Sequence, residues 1–118
     1  MTPTEFFNGD EVARRLYEAV AASMARVGPA KPRVTKSQIA FRRRRGFAWV
    51  WRPRQYLRGS VAPLVLSVSL HRHDKSNRWK EIVEPAPGRF MHHFELRTIK
   101  EIDHEVDCWL NEAWDQAG

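Results

Sequence analysis

Apolar residues near the start of the chain recur every three or four positions, at Val12, Leu16, Val20, Met24 and Val27. That spacing lines one face of a helix. Asn8, with Glu11 three residues on, predicts its N-cap and capping box. Gly28-Pro29 predicts its end, the glycine as a C-cap and the proline as a breaker. Ahead of it, Thr2-Pro3 predicts a short opening turn, with Phe6 and Phe7 as apolar contacts. The period then changes to two. Ile39 and Phe41 alternate with Gln38, Ala40 and Arg42 within a predicted strand over 34–42. Phe47, Trp49 and Trp51 alternate with Ala48 and Val50. Leu64, Leu66, Val68 and Leu70 alternate with Val65, Ser67, Ser69 and His71. Phe90, His92, Phe94 and Leu96 alternate with Met91, His93 and Glu95. Each stretch predicts a half-buried strand. Arg45-Gly46 predicts a turn, and Arg52-Pro53, Gly59-Ser60 and Pro85-Ala86-Pro87-Gly88 are breaks. Trp79–Glu84 predicts a short edge strand. Helical spacing returns at Ile102, Val106, Trp109, Leu110 and Ala113, behind a capping-box pattern at Thr98–Glu101.

The order helix, strands, helix predicts a single α+β domain over 1–118. Its expected form is two layers: a helix, an antiparallel β-meander of four to five strands, then a helix. Both helices cover one face of the sheet, because that face is apolar and only they can cover it. The length of 118 residues, with 42% hydrophobic residues, suits one core. One cysteine, Cys108, leaves no internal disulfide and no multi-cysteine zinc site. The apolar runs are too short for a membrane span. The opening MTPTEFFNGD lacks the basic and apolar regions of a secretory signal, so the expected location is cytoplasmic.

Charge divides the chain more sharply than hydropathy does. The formal net charge is +6, yet residues 29–58 hold ten basic residues and no acidic one, while 100–118 hold six acids against Lys100. Within the basic stretch lie Lys36 and the run Arg42, Arg43, Arg44 and Arg45, followed by Phe47, Trp49, Trp51 and Tyr56. Arginine forks bind phosphate oxygens, and aromatic rings stack on bases. This combination predicts recognition of an anionic partner, nucleic acid first, through Lys36, Arg42–Arg45, Trp49 and Trp51. The plain structural alternative is a solvated turn with both tryptophans in the core, or arginines paired with the acidic last helix. Alternation alone does not decide where Trp49 and Trp51 point.

The face away from the helices offers a second candidate. Lys36, Gln38, Ser67, Ser69, His71, His93 and Glu95 fall on it, and a polar surface on a rigid sheet suits a small ligand. If the strands bearing them pair, His71, His93 and Glu95 form a weak candidate for zinc or iron. A normal solvated face, or a homodimer packed through it, accounts equally well for the pattern. His92, on the apolar side, reads as a hydrogen-bonded core histidine. Trp79, Lys80, Glu81, Glu84 and Arg89 bracket the proline-rich break and read as a salt-bridged loop with Trp79 at the core edge. Cys108 and His104 are four apart on one helix, which supplies neither an oriented base nor an oxyanion hole. There is no glycine-rich phosphate loop, nucleophile elbow or metalloprotease helix. The expectation is a binding domain without a cofactor rather than an enzyme.

Several stretches resemble a small uncharacterised bacterial domain family of unknown function. They are Val34–Arg43, Phe47-Ala48-Trp49, Trp79-Lys80-Glu81 to Gly88-Arg89, and Met91–Leu96. The resemblance covers nearly the whole chain. It implies a distant likeness to frataxin-like iron-chaperone domains, which share a helix–sheet–helix plan. It also implies occasional fusion to nuclease-like or restriction-like modules, and it carries over no catalytic residue.

Overall fold

A computed structural model of the chain describes residues 1–55 and 57–118. Tyr56, an aromatic of the basic stretch, lies outside the described residues. The elements in order are α1 (Pro3–Phe7), α2 (Glu11–Val27), β1 (Lys31–Val34), β2 (Ile39–Arg42), β3 (Gly46–Trp51), β4 (Leu64–Leu70), β5 (Glu81–Ala86), β6 (Arg89–Leu96) and α3 (His104–Gln116). Short 3₁₀ turns stand at Pro53–Gln55 and Ile99–Glu101. The fold is α+β, with the helices against one face of an antiparallel sheet.

The sheet has six strands in the order β1-β2-β3-β4-β6-β5, against the four to five expected. The predicted strand over 34–42 is a hairpin. Thr35 breaks it: its Oγ1 accepts from Ser37 N and Gln38 N and donates to the Gln38 carbonyl. A side chain that binds its own backbone two and three residues on makes a turn compete with the strand. The meander also stops at β4. The next neighbour of β4 is β6, and β5 folds outside it as the edge. Each edge strand contains a proline, Pro32 in β1 and Pro85 in β5. A residue that cannot donate to a ladder suits an edge and discourages further strand pairing.

Two helix starts differ from the sequence expectation. Thr2, not Asn8, carries the first capping box, with Glu5, and opens α1. Asp10 then caps α2 through Ala13 N at 3.2 Å. With the start moved, Val12 is 58% exposed, and the buried stripe runs through Ala13, Leu16, Tyr17, Val20 and Met24. The Thr98–Glu101 capping box opens a 3₁₀ turn, while Asp103 caps α3 by accepting from Val106 N.

Register separates the two faces. Ile39, Val50, Leu66 and Phe94 lie in one row under the helices, and Phe41, Ala48, Val68 and His92 in the next. All are buried. An irregularity between Phe41 and Arg42 leaves Phe47 as an extra residue opposite β2, so Phe47 and Ala48 are both buried. Trp49 and Trp51 therefore fall on the other face, half-buried. The core is closed at one end by aromatic contacts: Trp79 packs on Trp109 with ring centres 4.1 Å apart and on His92 at 4.8 Å. Trp79 Nε1 donates to Asp74 at 2.8 Å.

Candidate functional site

The uncovered face carries a row that crosses the whole sheet. Arg33, Ala40, Trp49, Ser67, His93 and Glu81 are successive cross-strand neighbours from β1 to β5. At ordinary strand spacing, Arg33 and His93 stand about 19 Å apart. The basic end continues to Lys31, opposite Arg42. The acidic end continues to Glu95, opposite Val65. Cation, ring, hydroxyl, imidazole and carboxylate thus follow one another along a single line.

Trp49 lies flat along its strand. A Cβ on Gly46 would stand 2.9 Å from Cζ2 of the Trp49 ring, so the glycine gives the indole its seat. Lys31, Arg33 and Arg42 are exposed, and their side chains have no hydrogen-bond or charge partner among the described residues. The same holds for Arg44 and Arg45 in the β2–β3 turn. Cations that hold no internal partner remain available to an external anion.

Arg43 is different. Its guanidinium sits 3.6 Å from the centre of the Trp114 ring and donates to the Trp114 carbonyl at 3.1 Å. The Arg44 N–H donates to the Ala117 carbonyl. The ring face and the helix-end carbonyls both attract a cation, so Arg43 fastens the turn to the end of α3. Asp103, Glu105, Asp107 and Glu112, at the cap and along α3, are matched by other arginines. Arg78 binds Asp103 and Glu105, Arg72 binds Glu112, and Arg26 binds Asp107, which also accepts from the buried Ser23 hydroxyl. Pairing between the arginine run and the acidic helix is thus limited to the anchor made by Arg43.

Farther along the row, Trp51 Nε1 donates to Ser67 Oγ at 3.2 Å, and Ser67 Oγ lies 2.7 Å from His93 Nδ1. An indole N–H can only donate. Ser67 Oγ has two lone pairs, so beside accepting the indole N–H it either donates to Nδ1 or accepts from it, and in both tautomers Nε2 is the nitrogen outside the relay. Burial pushes His93 below its ordinary value of 6.5, against the charge of Glu81, which pulls the other way. Ser67 itself is only 3% exposed, so it orients the histidine rather than meeting a substrate. Beside this relay the stretch between β3 and β4 places Pro53, Leu57 and Val61 at the end of the face. It leaves a cleft of about 270 Å³ whose lining includes Trp51, Leu57, Val65 and His93.

The expected site residues do not all converge. Lys36 lies in the β1–β2 turn, at the opposite end of β2 from Arg43–Arg45 and near α1, where its carbonyl accepts from Gln55. Gln38 closes the same turn through its carbonyl. His71 follows the end of β4, four residues past Ser67, or about 13 Å along the strand from the partner of His93. It borders, with Ser69, Arg45 and Arg89, a small cavity at the end of α3. His71, His93 and Glu95 therefore do not form one cluster. No group of three or more metal-ligating side chains stands among the described residues. Ser67 and His93 do meet, and they meet Trp51, which the sequence had placed in the other candidate set. Lys31 and Arg33 were missed because β1 was not separated from β2. The signal was Thr35, a turn-forming residue inside a presumed strand.

The helix-backed sheet and its basic, aromatic open face define a small α+β domain with one surface left uncovered. The chain belongs to the domain-of-unknown-function family DUF5655, whose model matches residues 4–117. No curated protein and no solved structure matches it. Among the described residues, no helix is long and apolar enough to cross a membrane.

Proposed function

We propose that this domain binds single-stranded nucleic acid across its open sheet face. Lys31, Arg33 and Arg42 hold phosphates, Trp49 stacks on a base, and Arg44 and Arg45 extend the charged track from the turn. The observation that carries this reading is the position of Trp49: an indole only partly buried on the uncovered face, in the same row as Arg33. Basic tracks with aromatic platforms are how single strands are held without strong sequence preference. An iron site of the frataxin-like kind would draw on acidic residues, and those of α3 are largely occupied by Arg26, Arg72 and Arg78.

Fluorescence anisotropy of a labelled single-stranded oligonucleotide tests the proposal. Affinity should fall steeply as salt rises, with a logarithmic slope of about −0.7 per phosphate contact. The double variant Arg33→Ala/Arg42→Ala should bind more weakly and with a slope smaller by about two contacts. No binding at low salt, or unchanged binding in the double variant, contradicts the proposal.

A further inference from the structure

The cleft at the far end of the row is built for something other than phosphate. Its apolar walls are the Trp51 ring, Pro53, Leu57, Val61 and Val65. Its polar rim is Lys80, Glu81, His93 and Glu95. Leu57 is 54% exposed at this cleft, an apolar side chain outside the core. The volume, about 270 Å³, is a little below the range of about 300–1,000 Å³ usual for drug-sized ligands.

We infer that this cleft receives one unstacked nucleobase of the bound strand, an inference that rests on the nucleic-acid reading above. The chemistry of the lining selects that occupant. Glu95 is 3.9 Å from Arg97, and Glu81 stands against Lys80, so the rim has no spare positive charge for an anion and a phosphate group does not belong here. A purely aliphatic group would fill the walls and leave the rim unanswered. A planar, neutral heterocycle with donors and acceptors on its edge answers both. Its face lies on apolar walls, and its edge meets His93 Nε2 and the Glu81 carboxylate. The relay from Trp51 through Ser67 fixes the imidazole ring, so Nε2 is aimed before the base arrives. Nε2 has no hydrogen-bond partner among the described residues. The distance fits as well. A strand held by phosphate contacts at Arg33 and stacked on Trp49 runs directly toward His93 along the same row.

Base preference separates this inference from the reading beneath it. Short oligonucleotides of dA, dC, dG and dT are titrated in turn against the intact chain and against two variants. His93→Phe removes the polar ring nitrogens, and Glu81→Gln changes an exposed rim residue without touching the core. The inference expects the best homopolymer to bind about tenfold tighter than the worst, the discrimination typical of one paired base edge. It expects both variants to shrink that ratio while leaving the salt slope unchanged. Equal binding of all four homopolymers, or a preference that survives in both variants, overturns the inference and leaves the phosphate track standing. Absence of binding by any oligonucleotide overturns both.

Discussion

The two faces of the sheet carry the same residue types to different ends. On the covered face, His92 is wholly buried and both its nitrogens are engaged: Nε2 accepts from Asp74 N, and Nδ1 meets the Phe90 carbonyl. Beside it the Trp79 N–H is taken by Asp74. One residue along the same strand, on the open face, His93 uses only Nδ1, and the Trp51 N–H is taken by Ser67. Each face thus holds a histidine, a tryptophan and a short oxygen-bearing residue linked by hydrogen bonds. The covered set is closed by Trp109 and Phe94, and its polar groups serve the fold. The open set keeps the second ring nitrogen of His93 without a partner among the described residues. What a residue does here depends less on its type than on which side of the pleat it falls.

This contrast can be broken from either side. The largest effect belongs to the core: Leu66→Ala, buried between its neighbours Val50 and Phe94, should cost about 2–5 kcal/mol in chemical denaturation. Trp49→Ala on the open face should cost far less stability yet weaken oligonucleotide binding about tenfold, in line with about 1–3 kcal/mol per stacked base. A variant pair in which both lose stability equally would erase the difference between the faces.

Acid should act mainly through the histidines. Burial lowers both His92 and His93 below 6.5, so the unfolded chain binds more protons than the folded one. The stability they contribute is full above about pH 6.5 and is lost as pH falls through the lower folded values. Burial would raise Asp74, but hydrogen bonds from Trp79, Ser76 and Arg72 outweigh it and hold the carboxyl below 3.8. Its contribution has the same sign and is lost only in stronger acid. Thermal melts should therefore show a lower Tm at pH 5.5 than at pH 7.5, and His92→Gln should flatten that difference. The smallest effect is the finest test of the seat under the ring. Gly46→Ala should displace the Trp49 indole, shifting its fluorescence and weakening binding while moving Tm by only a degree or two.

Much of this fold was legible because period-two patterns are unambiguous where one face is buried. The strands around Leu66 and Phe94 were read in place, and so was His92 as a core histidine. The hairpin at Thr35 was not, because a short turn between two short strands leaves the alternation almost unbroken. The side on which Trp49 and Trp51 lie was hidden for another reason. Tryptophan is apolar enough to suit either face, and the extra residue at Phe47 shifts the buried side from Phe47 to Ala48 and Val50. The relay of Trp51, Ser67 and His93 joins three strands, β3, β4 and β6, and only their register brings it together. Lys36 and His71 show the converse: both fall within polar stretches, yet each stands at an end of the sheet away from the row.

Amide and indole chemical-shift mapping during titration with an unlabelled single strand tests the central claim most directly. The account predicts shifts concentrated at Arg33, Ala40, Trp49, Ser67 and His93, with Trp79, Trp109 and the α2–α3 side unmoved. Shifts confined to the helices, or none at concentrations that saturate a basic surface at low salt, would contradict it.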